Sequence, residues 1–274
     1  HIRNWNLNAF DVRDPVNNLK PVWEIRRDHR WMSIFQAVYS EFRGTKIEEF
    51  VCSIDGINIQ PNISRNVAGA KDWPHCDQTK RDDVFKCVQG QVVLTNTSAS
   101  FRASPTSHRY FRNIMSVAGI PDTDSNFAKF SDSQLRKIKD SVIIPNQVPF
   151  QVPIKADKGS VILWLSTTIH SAMSSGVKET PSEEDRFKGW RGVVYVCYRP
   201  KSEFSQSELN VLEDCLENNR GTNHWSTRVF PLICKGPYSR EQVISPRIQK
   251  LVRQQHFFRP VSYTHLTLPT NREV

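Results

Sequence analysis

The pair His75-x-Asp77, followed far downstream by the apolar run Val161-Ile162-Leu163-Trp164-Leu165 and then His170, constrains this chain more than any other feature. Along a β-strand side chains alternate between faces, so His75 and Asp77 point the same way and Cys76 the other. A sheet carrying two such neighbouring ligands needs one more, delivered by a different strand, to hold a metal. His170, just past a short apolar strand entered from the turn-like Asp157-Lys158-Gly159, is placed to deliver it. Two imidazoles and one carboxylate on one side of an ion form the facial set of non-haem Fe(II) sites, which leaves the remaining coordination positions open. By itself His-x-Asp is a weak signal, and the long-range context carries the reading.

That context is β-rich. Val84 to Leu94 is dense in β-branched residues with a single glycine, and reads as a strand beside the first pair. Gly192-Val193-Val194-Tyr195-Val196-Cys197-Tyr198 reads as another, opening directly after Arg191. An arginine there suits a dicarboxylate, because its planar fork of donors matches a carboxylate better than a lysine does.

Trp73-Pro74-His75-Cys76-Asp77-Gln78, Cys87-Val88-Gln89-Gly90, Ser107-His108, the strand into His170, and Arg191 with Tyr195-Val196-Cys197 together resemble the phytanoyl-CoA dioxygenase-like family of Fe(II)- and 2-oxoglutarate-dependent oxygenases. The resemblance runs from about Phe50 to Pro200, with a weaker echo at Thr222-Asn223-His224-Trp225. It implies a mainly β fold, a double-stranded β-helix (a jelly roll, or cupin-like barrel) with flanking α-helices. His75, Asp77 and His170 match the iron ligands, and Arg191 matches the arginine that binds the distal carboxylate of 2-oxoglutarate. Gln89 is expected to face the cavity and touch cosubstrate or substrate, with a cross-strand hydrogen bond as its other reading. The implied cofactor is Fe(II), with 2-oxoglutarate and O2 as cosubstrates, and the implied reaction hydroxylates a small organic substrate with release of succinate and CO2. A cupin-like metal-binding protein and a non-catalytic interaction module are the alternatives on the same fold.

The chain departs from the family pattern at two places. The lead into Ser107-His108, Thr97 to Ser104, lacks glycine. Ser171 to Trp190 is longer than usual and polar, as an inserted surface loop would be, and makes Arg186 a competitor for the cosubstrate role. Arg191 is preferred because it opens a strand. His108 is expected to anchor the turn after Pro105 or to cap a helix. His224 and Trp225 are expected to pack behind the barrel, and Cys76 to face away from the metal as a small buried hydrophobe.

Organisation is otherwise simple. Residues 1–260 are expected to form one domain, with the strand core over 49–200 and helical flanks over 1–48 and 201–260. Trp31 to Tyr39 has helical apolar spacing. A second helix is expected from Phe204 or Ser205 to Asn218, capped by Ser205 or Ser207. Residues 261–274 resemble a translated cloning scar and are set aside, so His265 is not a ligand candidate. The net charge of +9 raises the question of nucleic acid, but the basic residues are scattered and no aromatic-basic recognition motif accompanies them. Arg240 to Gln255 reads as the solvated face of a helix, with an anionic substrate as the minor reading. Six cysteines without a CxxC pair, and no apolar stretch long enough to span a membrane, give an intracellular, cytoplasmic expectation with no membrane partner.

Overall fold

A computed structural model describes residues 18–60, 73–96, 100–173, 180–218, 220–231 and 257–258. The expected basic helix over 240–255, the set-aside segment 261–274, Cys234, and the loop residues 97–99 and 174–179 lie outside them.

The strands are β1 (Phe50–Cys52), β2 (Ile57–Gln60), β3 (His75–Cys76), β4 (Val88–Val93), β5 (Ser100–Ala103), β6 (Ala128–Lys129), β7 (Val152–Ile154), β8 (Val161–Leu165), β9 (His170–Met173), β10 (Arg191–Val196), β11 (Tyr198–Pro200) and β12 (Phe257–Phe258). Five α-helices accompany them: α1 (Lys20–Arg26), α2 (His29–Arg43), α3 (Phe111–Val117), α4 (Asp132–Ile138) and α5 (Gln206–Glu217). A four-stranded sheet runs β2-β10-β4-β8, a five-stranded sheet β6-β3-β9-β5-β7, and a three-stranded sheet β11-β1-β12. Neighbouring strands pair antiparallel throughout. The fold is thus a mixed one of antiparallel sheets and flanking helices, and among the described residues no sheet closes on itself.

Alternation along the strands decides what each face of the four-stranded sheet meets. Val88 and Val92 of β4, Val194 and Val196 of β10, and Leu165 of β8 point outward onto Trp31, Met32, Phe35 and Tyr39 of α2. Those four helical residues lie on one stripe, the face a surface helix buries. Asp28 caps the start of α2 by accepting from the Arg30 amide, and Gly44 ends it with φ of 63°. The Val88 amide donates to the Tyr39 hydroxyl at 2.9 Å, pinning the head of β4 to the helix.

The opposite face of that sheet looks at the five-stranded sheet. Trp164, Val193 and Tyr195 meet Phe101 and Ala103 of β5 in one buried cluster, and the rings of Phe101 and Trp164 lie 4.4 Å apart. The far side of the five-stranded sheet is covered by α3 and α4, with Cys76 and Ile169 among Phe111, Ile114, Met115 and Ile138. Cys76 therefore faces away from its two neighbours, as alternation requires.

Sequence reading gave 49–200 as the strand core and named no helix there beyond a possible cap at His108, whereas α3 and α4 lie inside that span. Both helices are seven residues long, too short to show a clear period. The signal for α4 was nevertheless present: Ser131 and Gln134 form a capping box, each side chain bonded to the other's backbone amide. The stretch Val84–Leu94 also starts its strand only at Val88, because Asp83 accepts from the Phe85 amide and turns the chain. Helix α5 matches its expectation, with Ser205 and Glu208 as capping box and Leu212, Cys215 and Leu216 buried. Among the described residues no helix is long and apolar enough to cross a membrane.

Candidate metal centre

His75 of β3 stands directly opposite His170 of β9 in the strand register, and their rings lie 4.2 Å apart. Asp77 follows β3 immediately. Its amide donates to the Ser166 carbonyl at 2.8 Å, and the Ser166 hydroxyl donates to Gln78 Oε1 at 2.8 Å, so the end of β3 is latched to the end of β8. The entry to β9 is latched as firmly. The Ile169 amide donates to the Ser107 hydroxyl at 2.9 Å, and the Ser104 amide to the Ile169 carbonyl at 2.8 Å. The Ser107-His108 element thereby acts through its serine. His108 sits in the turn before α3, with its ring 6.1 Å from Phe85.

His75, Asp77 and His170 are all buried, and one ligand atom from each lies within 4.8 Å of the others. Their hydrogen bonds decide what those atoms offer. His75 Nδ1 lies 3.0 Å from the Trp73 carbonyl and His170 Nδ1 lies 2.9 Å from the Thr168 carbonyl. A carbonyl only accepts, so Nδ1 is the donor to it on both rings and Nε2 is the nitrogen turned to the site. Both Nε2 atoms face the Asp77 carboxylate, His75 Nε2 at 3.5 Å from Oδ1 and His170 Nε2 at 3.3 Å from Oδ2. Two imidazole nitrogens and a carboxylate converging in a buried place form a donor set that fits a divalent cation, and the backbone carbonyls behind the imidazoles are the outer partners such ligands use. Burial, followed by the neighbouring His170, pushes the His75 pKa down to about 3, which keeps its ring neutral. Burial alone would raise the Asp77 carboxyl, but the surrounding histidines outweigh it and hold Asp77 well below the usual carboxylate range.

Gln89, on β4 opposite Trp164, donates its amide to Asp77 Oδ2 at 3.0 Å, while its own Oε1 is buried with no partner among the described residues. The cross-strand neighbour is therefore Trp164, and the hydrogen bond goes instead to a member of the cluster. Arg191 opens β10 and is 2% exposed. Its Nη2 donates to Gln91 Oε1 at 3.2 Å, and its Nη1 is buried without a partner among the described residues. Gln91 is opposite Tyr195, so the Arg191 side chain runs forward along β10 past Val193, toward the end of the sheet where Gln89 meets Asp77. Arg186 lies exposed in a turn of the inserted loop.

One residue stands elsewhere than expected. Trp225 does pack behind the sheets, buried with Cys87, Cys197 and Leu212, but His224 turns the other way. Its Nε2 lies 3.7 Å from Asp77 Oδ2 and its Nδ1 donates to Asp55 Oδ2 at 2.5 Å. Burial disfavours the charged ring, yet Asp55 outweighs it and the His224 pKa is raised to about 9. Two adjacent residues in irregular backbone carry no alternation signal, so which of them faced the site was not readable from the sequence. The rim of the site is aromatic: Trp73 stacks on His75 at 4.4 Å, and Phe127, 47% exposed, lies 5.1 Å from the same ring.

No protein-family model matches the chain, and comparison with curated proteins finds no relative. What the site can do follows from its geometry: a facial set of two histidines and an aspartate able to coordinate a divalent metal, compatible with the chemistry of the Fe(II)/2-oxoglutarate oxygenase superfamily.

Proposed function

We propose that this chain is a non-haem Fe(II)- and 2-oxoglutarate-dependent dioxygenase of the phytanoyl-CoA dioxygenase-like kind, a single domain over residues 1–260 that hydroxylates a small organic substrate. The observation that carries it is the buried Nη1 of Arg191, without a partner among the described residues, on the inner face that also carries Gln89. A guanidinium in that position has a donor to offer an anion. A dicarboxylate whose far end must be fixed is such an anion.

Strand connectivity supports the double-stranded β-helix within this reading. From β2 to β5 the chain alternates between the four- and five-stranded sheets, stays in the latter through β7, then alternates again from β8 to β10. That is the order in which a jelly roll is wound.

Fe(II) bound with 2-oxoglutarate would supply oxidative decarboxylation to succinate and CO2 coupled to oxidation of a C–H bond. The protein's own residues supply placement. His75, Asp77 and His170 hold the metal from one side. Arg191, braced by Gln91, receives the distal carboxylate of the cosubstrate. Gln89 fixes Asp77 through its amide nitrogen and keeps a carbonyl oxygen, without a partner among the described residues, for cosubstrate or substrate. Trp73 and Phe127 flank the approach to His75 and favour a substrate with an apolar or planar portion.

Anaerobic addition of Fe(II) and then 2-oxoglutarate tests the reading. A metal-to-ligand charge-transfer absorption, present in the wild type and absent from Asp77→Ala, is expected. Metal binding without that absorption would leave the cupin-like alternative in its place.

A further inference from the structure

The triad accounts for His75, Asp77 and His170 but not for the second buried aspartate that faces the same place through a histidine. Asp55 is 1% exposed and thoroughly tied down: its Oδ1 accepts from the Gly56 amide at 2.6 Å, and its carbonyl accepts from the Arg26 guanidinium. Its remaining oxygen, Oδ2, holds His224 Nδ1 at 2.5 Å. The backbones carrying the two residues are laced together as well. The Ile54 amide donates to the Thr222 hydroxyl at 3.1 Å and the Thr222 amide to the Ile54 carbonyl at 2.8 Å. On the far side of His224, Asn126 Oδ1 gathers the Ser226 and Thr227 amides at 3.2 and 2.6 Å. A ring gripped in this way has one orientation, and that orientation aims Nε2 at Asp77.

The two oxygens of Asp77 have different surroundings. Oδ2 faces the Gln89 amide at 3.0 Å and His224 Nε2 at 3.7 Å, whereas Oδ1 faces ligand His75 at 3.5 Å. Oδ2 also lies 3.3 Å from His170 Nε2, so a carboxylate left to rotate could turn both oxygens toward the ion. Resting on the metal-site part of the reading above, we infer that Asp55 and His224 are a positioning pair for Asp77. Together with Gln89 they retain Oδ2, present Oδ1 to the metal, and so keep the carboxylate to a single coordination position. Outer partners of metal ligands commonly govern affinity in this manner. Neither residue is a ligand. Their part is exercised through Asp77.

Co(II) titration of the metal-free protein, followed by calorimetry and by the visible bands of the bound ion, tests this without turnover. His224→Leu is expected to weaken Co(II) binding by about 10–100-fold and to alter the band pattern. His224→Gln, whose amide nitrogen reaches toward the same oxygen, is expected to recover most of the affinity and the wild-type spectrum. Asp55→Asn, which keeps the shape of the buried side chain but weakens its hold on His224, is expected to fall between them and decides the matter if His224→Leu does not fold. Wild-type binding with Asp55→Asn and His224→Leu unchanged in affinity and spectrum would overturn the pair's role alone. A His224→Gln variant as impaired as His224→Leu would overturn it too. Failure of the wild type itself to bind Co(II) would remove this inference and the proposed metal site together.

Discussion

His75 and His170 are opposite one another across the β3–β9 ladder, and each donates its Nδ1 proton to a carbonyl two residues earlier in its own chain, that of Trp73 and that of Thr168. The two imidazoles are thereby set in the same tautomer before any ion arrives. A ligand set oriented in advance loses little freedom on binding, so each histidine should matter greatly to affinity. Removing an outer partner of a metal ligand typically costs about 10–100-fold, and removing the ligand itself should exceed that. Calorimetric titration of His75→Ala and His170→Ala with a divalent metal should show losses above about 100-fold. Wild-type affinity in either variant would dissolve the centre.

The depressed His75 pKa has a consequence for the metal-free protein. A histidine has an ordinary value near 6.5, and folding lowers this one to about 3. Above pH 6.5 the ring is neutral in both folded and unfolded chains and stability is unaffected. As pH falls below the unfolded value only the unfolded chain takes up the proton, so stability declines progressively from about pH 6.5 to about pH 3. His75→Asn should flatten that decline. Urea melts of the two metal-free proteins at several pH values check it, and parallel curves down to pH 4 would show that the ring is not held neutral.

Arg191 separates charge from geometry. Its Nη2 is occupied by Gln91, and its Nη1, without a partner among the described residues, is left to receive an anion, an arrangement that a single ammonium group cannot reproduce. A hydrogen bond to a charged partner is worth about 1.5–3 kcal/mol, which is about 10–150-fold in an equilibrium constant. Arg191→Ala and Arg191→Lys should both weaken 2-oxoglutarate by an amount in that range, with the lysine variant less affected, while metal affinity stays near wild type. The dissociation constants come from the charge-transfer absorption under nitrogen. Unchanged 2-oxoglutarate affinity in Arg191→Ala would move the role elsewhere. Exposed Arg186 would then be the first variant to examine.

What could be read in advance, and what could not, divides along physical lines. The His75-Cys76-Asp77 alternation was legible because a period of two is written directly in the chain. The same logic placed Cys76 in the core behind the sheet. The strands Val161–Leu165 and Arg191–Val196 were legible as apolar runs, but His170 opens the next strand, β9, in the opposite sheet rather than ending β8, a change of sheet that no local pattern announces. His224 was not legible, because its direction is imposed by Asp55 and the lacing of Thr222 to Ile54, contacts between segments far apart in sequence. Helices α3 and α4 escaped notice because each offers barely two turns of pattern. The grip of Ser104 and Ser107 on Ile169 lay equally beyond a one-dimensional reading: serines before a helix look like caps until the strand they hold is brought to them.

The contact of β4 with α2 provides a final prediction, on stability rather than chemistry. Gly90 lies midway along β4 on the face that meets α2, and a Cβ there would come within 2.8 Å of Leu163 Cδ2, 3.0 Å of Phe35 Cζ and 3.2 Å of the Val196 carbonyl oxygen. The Leu163 methyl can rotate aside, but Phe35 is fully buried and the carbonyl belongs to the neighbouring strand's backbone. Replacing glycine elsewhere often stabilises by about 0.4–1 kcal/mol through the unfolded chain. Overpacking a closed core costs about 1–3 kcal/mol, so the strain should win. Gly90→Ala should therefore lower the melting temperature by several degrees, roughly 2–4 °C for each kcal/mol in a domain of this size. Gln89, the preceding residue, holds Asp77 on the opposite face of the strand. If β4 moves as a rigid unit, metal affinity in Gly90→Ala should fall along with stability; if the strain stays on the outer face, the metal centre should bind as in the wild type. The inner face is latched through Ser166, so the second outcome is expected, and a melting temperature equal to the wild type's would refute the close packing itself.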